Sequence, residues 1–288
     1  MEPEPEVTVW AVVRPTSLSQ PLYDAALALL DPASRERVQR FYHRADACRP
    51  GPPPPPPLPR IAFNISHDAE LVALAFAQED GEQGGDAGAG PEAEAGRVGV
   101  DVMCVRAPKR ETFAAFVDMV GDTLTPLEKR ALLAPEPALS PRAALARFYR
   151  IWTAKEAYTK ALGLGLGFDF RRVEVRFFDG GAGGDGEGGG EARRTTVSGV
   201  AVDGAPPAGW EFLTFEVEVD GEGGGNGKEA TERDTYVGVV ARFVGGPSSV
   251  VRPLLPSSSS PSPAHARGRL VRMEAETFLR DAVRELGG

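Results

Sequence analysis

Four stretches of this chain cannot build a core of their own, and they dictate how the rest is assembled. They are Cys48 to Pro59 with six consecutive prolines, Glu79 to Gly96, Gly180 to Glu191, and the Ser/Pro run from Pro247 to Pro263. Runs this rich in Pro, Gly or Ser bury too little apolar surface to offset their ordering entropy, so each reads as a loop or linker. The expected division is an N-terminal half over 1–96, a C-terminal half over 97–246, and a linker with a C-terminal helix over 247–288.

The segments between are patterned. Val7 to Val13 reads as a buried strand, with helical stretches around Leu22 to Leu30 and Ala33 to Arg44. Ile61, Phe63 and Ile65 alternate as a strand that runs into a strand-end Asn64-Ile65-Ser66-His67, and Leu71 to Ala77 lies within a hairpin's reach. Val98, Val100 and Val102 alternate with Gly99, Asp101 and Met103, so Asp101 and Met103 share one face of a strand. Phe113, Phe116, Val117 and Val120 recur at helical spacing, and Thr125-Pro126-Leu127-Glu128 is a capping box with proline at the first helical position.

The longest helix is predicted from Pro141 to Leu162, stopped by Gly163. Trp152, Glu156 and Lys160 recur on it every four residues as one stripe. Further strands are expected at Val173 to Phe178, Trp210 to Val219 and Thr235 to Val244.

The formal net charge of −9 argues against a nucleic-acid-binding surface, although a local basic patch can still hold a small phosphorylated molecule. Cys48 and Cys104 are too few for a disulfide framework and lack metal-finger spacing. Neither a signal peptide nor an apolar membrane span is visible, so a cytoplasmic protein with no membrane partner is expected.

Three residues carry candidate chemistry. Asp101 and Glu156 offer the one or two carboxylates that a hard cation such as Mg²⁺ takes from a protein before completing its shell with water and phosphate oxygens. Taken singly, Asp101 reads as a surface carboxylate, Glu156 as a solvated charge paired with Lys160, and His67 as a turn histidine. Ser66, His67 and nearby main-chain N–H groups could alternatively grip a diphosphate at a strand end.

Taken in order, Asn64-Ile65-Ser66-His67, Gly99-Val100-Asp101-Val102-Met103 and the run from Phe148 through Trp152-Thr153-Ala154-Lys155-Glu156-Ala157-Tyr158-Thr159-Lys160 to Gly163 resemble the motifs of the Sfp-type 4′-phosphopantetheinyl transferases. The similarity is greatest to the eukaryotic L-aminoadipate-semialdehyde dehydrogenase phosphopantetheinyl transferases, which share a segment like Gly165-Leu166-Gly167-Phe168 and suggest lysine biosynthesis. The resemblance implies an α+β fold of two similar halves with pseudo-twofold symmetry, and a monomer with coenzyme A between the halves. It also implies transfer of 4′-phosphopantetheine from coenzyme A to a serine of an apo acyl or peptidyl carrier protein.

Carried over by position, Asp101 and Glu156 would hold Mg²⁺, Glu156 and Lys160 would be catalytic, and Arg37, Asn64, Ser66, His67 and Lys160 would touch coenzyme A. Two positions depart from the family. Met103 stands where many bacterial members have an acid, and the proline run replaces a helix and a basic Gly-Lys-Pro segment. The second departure keeps a rival reading open, an inactive module that binds coenzyme A or a carrier.

Overall fold

A computed structural model describes residues 7–14, 19–36, 61–78, 97–108, 111–135, 138–178, 195–220, 233–256 and 269–286. Arg37, the proline run and most of the glycine-rich stretches lie outside the described residues.

The fold is mixed α/β. The first sheet contains β1 (Val7–Val13), β2 (Ile61–Asp68), β3 (Leu71–Gln78), β10 (Leu255–Pro256) and β11 (Arg269–Glu274), in the order β10-β11-β1-β3-β2. The second contains β4 (Val98–Cys104), β7 (Trp210–Asp220), β8 (Arg233–Phe243) and β9 (Val250–Pro253), in the order β4-β8-β7-β9. A small hairpin pairs β5 (Val173–Phe177) with β6 (Val197–Val202).

Alternation along the strands makes two cores. Val7, Val9 and Ala11 of β1, Leu71 and Ala73 of β3, Val98, Val100 and Val102 of β4 and Leu213 and Phe215 of β7 close one core between the sheets. The other face of the second sheet packs Phe212, Val239 and Ala241 against Phe148, Ile151, Ala154, Ala157 and Tyr158 of the long helix. On β4 the two sets interleave, so the residues between the valines, Gly99, Asp101 and Met103, face the helix.

Helices bounded within the described residues are α1 (Gln20–Ala28), α2 (Phe113–Met119), α3 (Pro126–Leu133), α4 (Pro141–Leu162) and α5 (Ala275–Leu286), and residues 32–36 are helical as well. Local chemistry sets their ends. Thr125 and Glu128 form the reciprocal capping box of α3, Ser140 caps α4, and Gly163 ends α4 in the left-handed region at φ 70°.

Three expectations need correction. The Ser/Pro run is not structureless throughout, because Val250–Pro253 pairs in parallel with β7; this is a sheet edge, where proline is tolerated. The chain's last stretch returns to the first half, β11 pairing in parallel with β1 and Phe278 of α5 packing edge-on against Trp10. The strand end expected at Asn64-Ile65-Ser66-His67 lies one residue further on. β2 continues through Asp68, and the turn falls at Ala69, whose φ is 43°.

Candidate active site

The edge strands of the two sheets, β2 and β4, meet beneath α4, and Asn64, Ser66, Asp101 and Lys160 converge at that seam. Glycine makes the approach possible. A Cβ on Gly99 would lie 2.1 Å from the carbonyl oxygen of Ala157 and 2.5 Å from the amide nitrogen of Ala161, so only a residue without a side chain lets α4 settle this close to β4. Lys160 then reaches across, its Nζ 2.7 Å from Asp101 Oδ1, 3.1 Å from the Val100 carbonyl and 3.2 Å from Ser66 Oγ.

Asp101 is buried, with 5% of its surface exposed. Its Oδ1 accepts from both Lys160 and the Ser66 hydroxyl, the latter at 2.8 Å, while its Oδ2 is buried and accepts no hydrogen bond. Burial pushes its carboxyl above the usual range despite the opposing pull of Lys160 and Ser66, and the charge of Asp68 adds to the rise. Glu156 is half-buried, and its carboxyl is pushed up by burial and then by the Asp101 charge, with Lys160 opposing. Two carboxylates and one ammonium thus share a desolvated corner with a buried carboxylate oxygen left over, an arrangement of hard oxygen donors suited to a cation. Among the described residues no group of three or more His, Cys, Asp or Glu side chains is placed to hold a metal ion.

The stripe expected on α4 splits. Lys160 pairs with Asp101 and not with Glu156, because the strand lies closer than its own helix neighbour. Trp152 turns into an aromatic cluster, its ring 6.3 Å from Phe148 and 5.7 Å from Phe170. Ser66 is at the site. Asn64 lies on the same face of β2, with Oδ1 accepting the Val100 N–H at 3.0 Å. His67 follows Ser66 by one residue and is therefore on the opposite, exposed face beside Phe63 and Ile65, so Ser66 and His67 do not form one grip.

Sequence reasoning passed over two residues that the fold uses. Asp68 continues the polar alternation Asn64, Ser66, Asp68 and accepts the Cys104 N–H at 2.7 Å. Lys155, fully buried beside Glu156, donates to Glu128 at 2.7 Å, to the Thr123 carbonyl at 2.8 Å and to the Phe170 carbonyl at 3.0 Å. The capping-box glutamate is therefore also the counter-ion that ties α3 to α4. Only the period-2 pattern on β2 gave a usable signal in the sequence.

The model of the 4′-phosphopantetheinyl transferase superfamily matches residues 97–195, from β4 through α4 and the hairpin's first strand. Over 314 aligned residues the chain is 33% identical to the 4′-phosphopantetheinyl transferase pptA of Paxillus involutus, covering 96% of this chain and 99% of that protein. This chain belongs to the 4′-phosphopantetheinyl transferase superfamily.

It is also 32% identical over 116 residues to the L-aminoadipate-semialdehyde dehydrogenase-phosphopantetheinyl transferase of Rattus norvegicus, covering 40% of this chain and 31% of that one. Over 202 residues it is 23% identical to the 4′-phosphopantetheinyl transferase of Bacillus subtilis, covering 60% and 78% respectively. The activity of this phosphopantetheinyl transferase family is modification of a carrier-protein serine, with coenzyme A as the donor. The chain is thus an enzyme of the phosphopantetheinyl transferase type. Among the described residues no helix is long and apolar enough to cross a membrane.

Proposed function

We propose that this chain transfers the 4′-phosphopantetheine arm of coenzyme A to a serine of an apo acyl or peptidyl carrier protein in a magnesium-dependent, cytoplasmic reaction. The observation that carries the reading is the seam itself: Asp101, with its spare buried oxygen, beside Glu156 and under Lys160.

Asp101 Oδ2 and the Glu156 carboxylate would hold the magnesium ion. Two carboxylates suffice for Mg²⁺ when water and phosphate oxygens complete the octahedron, and Met103, on the same strand face, leaves a position to water. Held by these two carboxylates, such an ion would supply charge neutralisation on a diphosphate whose phosphorus is attacked by the serine oxygen.

The remaining chemistry falls to the side chains. Glu156, or a water it holds, would take the proton of the carrier serine. Lys160 acts chiefly as a fixed positive charge. Its ammonium already donates to Asp101, Ser66 and the Val100 carbonyl, so it meets the oxygen of the departing 3′,5′-ADP by its field or by giving up the longest of those bonds, that to Ser66. His67, exposed at the far end of β2, remains available to a phosphate. The name of the rat relative puts the carrier domain of an L-aminoadipate-semialdehyde dehydrogenase among the substrates to test.

Calorimetric titration tests the site. Coenzyme A and Mg²⁺ should bind interdependently, with the heat of coenzyme A binding reduced by EDTA and by Asp101→Ala. Equal binding with and without Mg²⁺ would contradict the metal assignment, and binding with no transfer would identify a non-catalytic module.

A further inference from the structure

Among the described residues the second sheet ends at β4, so the outward N–H groups of β4 have no strand there to pair with, yet the seam with β2 buries them. Side chains of β2 take the place of that strand. Asn64 Oδ1 accepts from Val100 N at 3.0 Å, Ser66 Oγ from Val102 N at 3.4 Å, and Asp68 Oδ2 from Cys104 N at 2.7 Å. Each pair is offset by 36 residues, so β2 and β4 run parallel and are joined by a ladder of side chains.

We infer that Asp68, together with Asn64 and Ser66, is a positioning residue for the transfer reaction, acting through β4 on Asp101. This inference rests on the proposed function. A backbone ladder would hold the strands about 4.8 Å apart with no side chain between them. The side-chain ladder instead places the Ser66 hydroxyl where it accepts from Val102 N and donates to Asp101 Oδ1, which fixes the carboxylate against Lys160.

Asp68 supplies the firmest rung. Its bond is the shortest of the three and its acceptor is anionic, which roughly doubles the strength of such a bond. The turn that follows is itself anchored. Glu70 N donates to Tyr236 Oη at 3.1 Å, and Arg14 donates from its guanidinium to the Ala69 carbonyl at 3.1 Å. Asn64 and Ser66, which the family resemblance assigns to coenzyme A, thereby act by holding the strand that carries the metal-site carboxylate.

The test compares Asp68→Ala with Asp68→Asn, which keeps an acceptor, by amide hydrogen exchange over 98–104 and by transfer kinetics. Loss of an acceptor from a buried N–H should speed exchange at Cys104 about tenfold and lower kcat by about tenfold, with KM for coenzyme A changed less than about twofold. Asp68→Asn should recover most of both effects.

Wild-type exchange and kcat in Asp68→Ala would overturn the inference. So would a raised KM with unchanged kcat, which marks a substrate contact, or an Asn variant no better than Ala. If Asp68→Ala does not fold, Asp68→Leu, which also lacks an acceptor, carries the same comparison. Absence of transfer by the wild-type chain would refute the proposed function and leave the exchange measurement to decide the ladder.

Discussion

Gly99→Ala adds one methyl group at the point where the site is assembled. The new Cβ would lie 2.1 Å from the Ala157 carbonyl oxygen, while ordinary contact begins at 3.4 Å, so strand and helix must part by about 1.3 Å (3.4 − 2.1). Both opposing atoms, the Ala157 oxygen and the Ala161 nitrogen, belong to the backbone of α4, so no rotamer change relieves the clash. Overpacking of this kind costs about 1–3 kcal/mol, which for a protein of this size is a fall of roughly 2–5 °C in Tm.

The functional cost should be larger than the stability cost. Glu156 and Lys160 ride on the displaced helix and Asp101 on the strand, and a misplacement of about 1 Å lowers turnover by about 10²-fold. Thermal melts and carrier-protein transfer rates measure the two effects side by side. Ala157→Gly should not rescue the variant, because the obstacle is a carbonyl and not a methyl group. A Gly99→Ala protein with wild-type Tm and kcat would refute the close approach on which the site depends, and rescue by Ala157→Gly would refute its stated cause.

Asp101→Ala should lower turnover by about 10²-fold or more, yet move Tm by less than about 3 °C in a thermal melt. The lost bonds from Lys160 and Ser66 are offset by removal of a buried carboxylate oxygen that has no partner. Met103→Glu adds a carboxylate on the face that Asp101 occupies and should lower the Mg²⁺ concentration needed for half-maximal transfer, as a metal titration of activity would read. Burial pushes the Cys104 thiol up to about 11 from an ordinary value of 9.0. The unfolded thiol therefore ionises first, and the stability this group contributes is complete below pH 9.0, falling away as pH rises toward 11. Denaturant melts of Cys104→Ala should show a shallower loss of stability over that window than the wild type, and parallel curves would contradict it.

Elements whose pattern is local were legible before the fold was known. The valine alternation of β4 and the run of α4 to a glycine stop each follow from a few neighbouring residues, and so does the capping box at Thr125. The partners of the site residues were not legible. Helix spacing pairs Lys160 with Glu156 by default, and only the close approach at Gly99, a contact between residues far apart in the chain, sends its ammonium to Asp101.

The bonding role of the second half of β2 was missed for a related reason. Asn64, Ser66 and Asp68 show no partners in the sequence until a strand edge stands opposite to take their bonds. The return of β11 to pair with β1 is equally non-local, since it joins residues from opposite ends of the chain. Glu128 reads fully as a cap, so its second role as the counter-ion of Lys155 left no separate trace in the sequence.

The most direct test of the account is mass spectrometry of an apo carrier protein incubated with this chain, coenzyme A and Mg²⁺. The account predicts a carrier heavier by one phosphopantetheine arm on its acceptor serine. It also predicts no gain when EDTA replaces Mg²⁺, and a severely slowed gain with Asp101→Ala or Glu156→Ala. An unmodified carrier under the complete conditions, or full modification in EDTA, would contradict it.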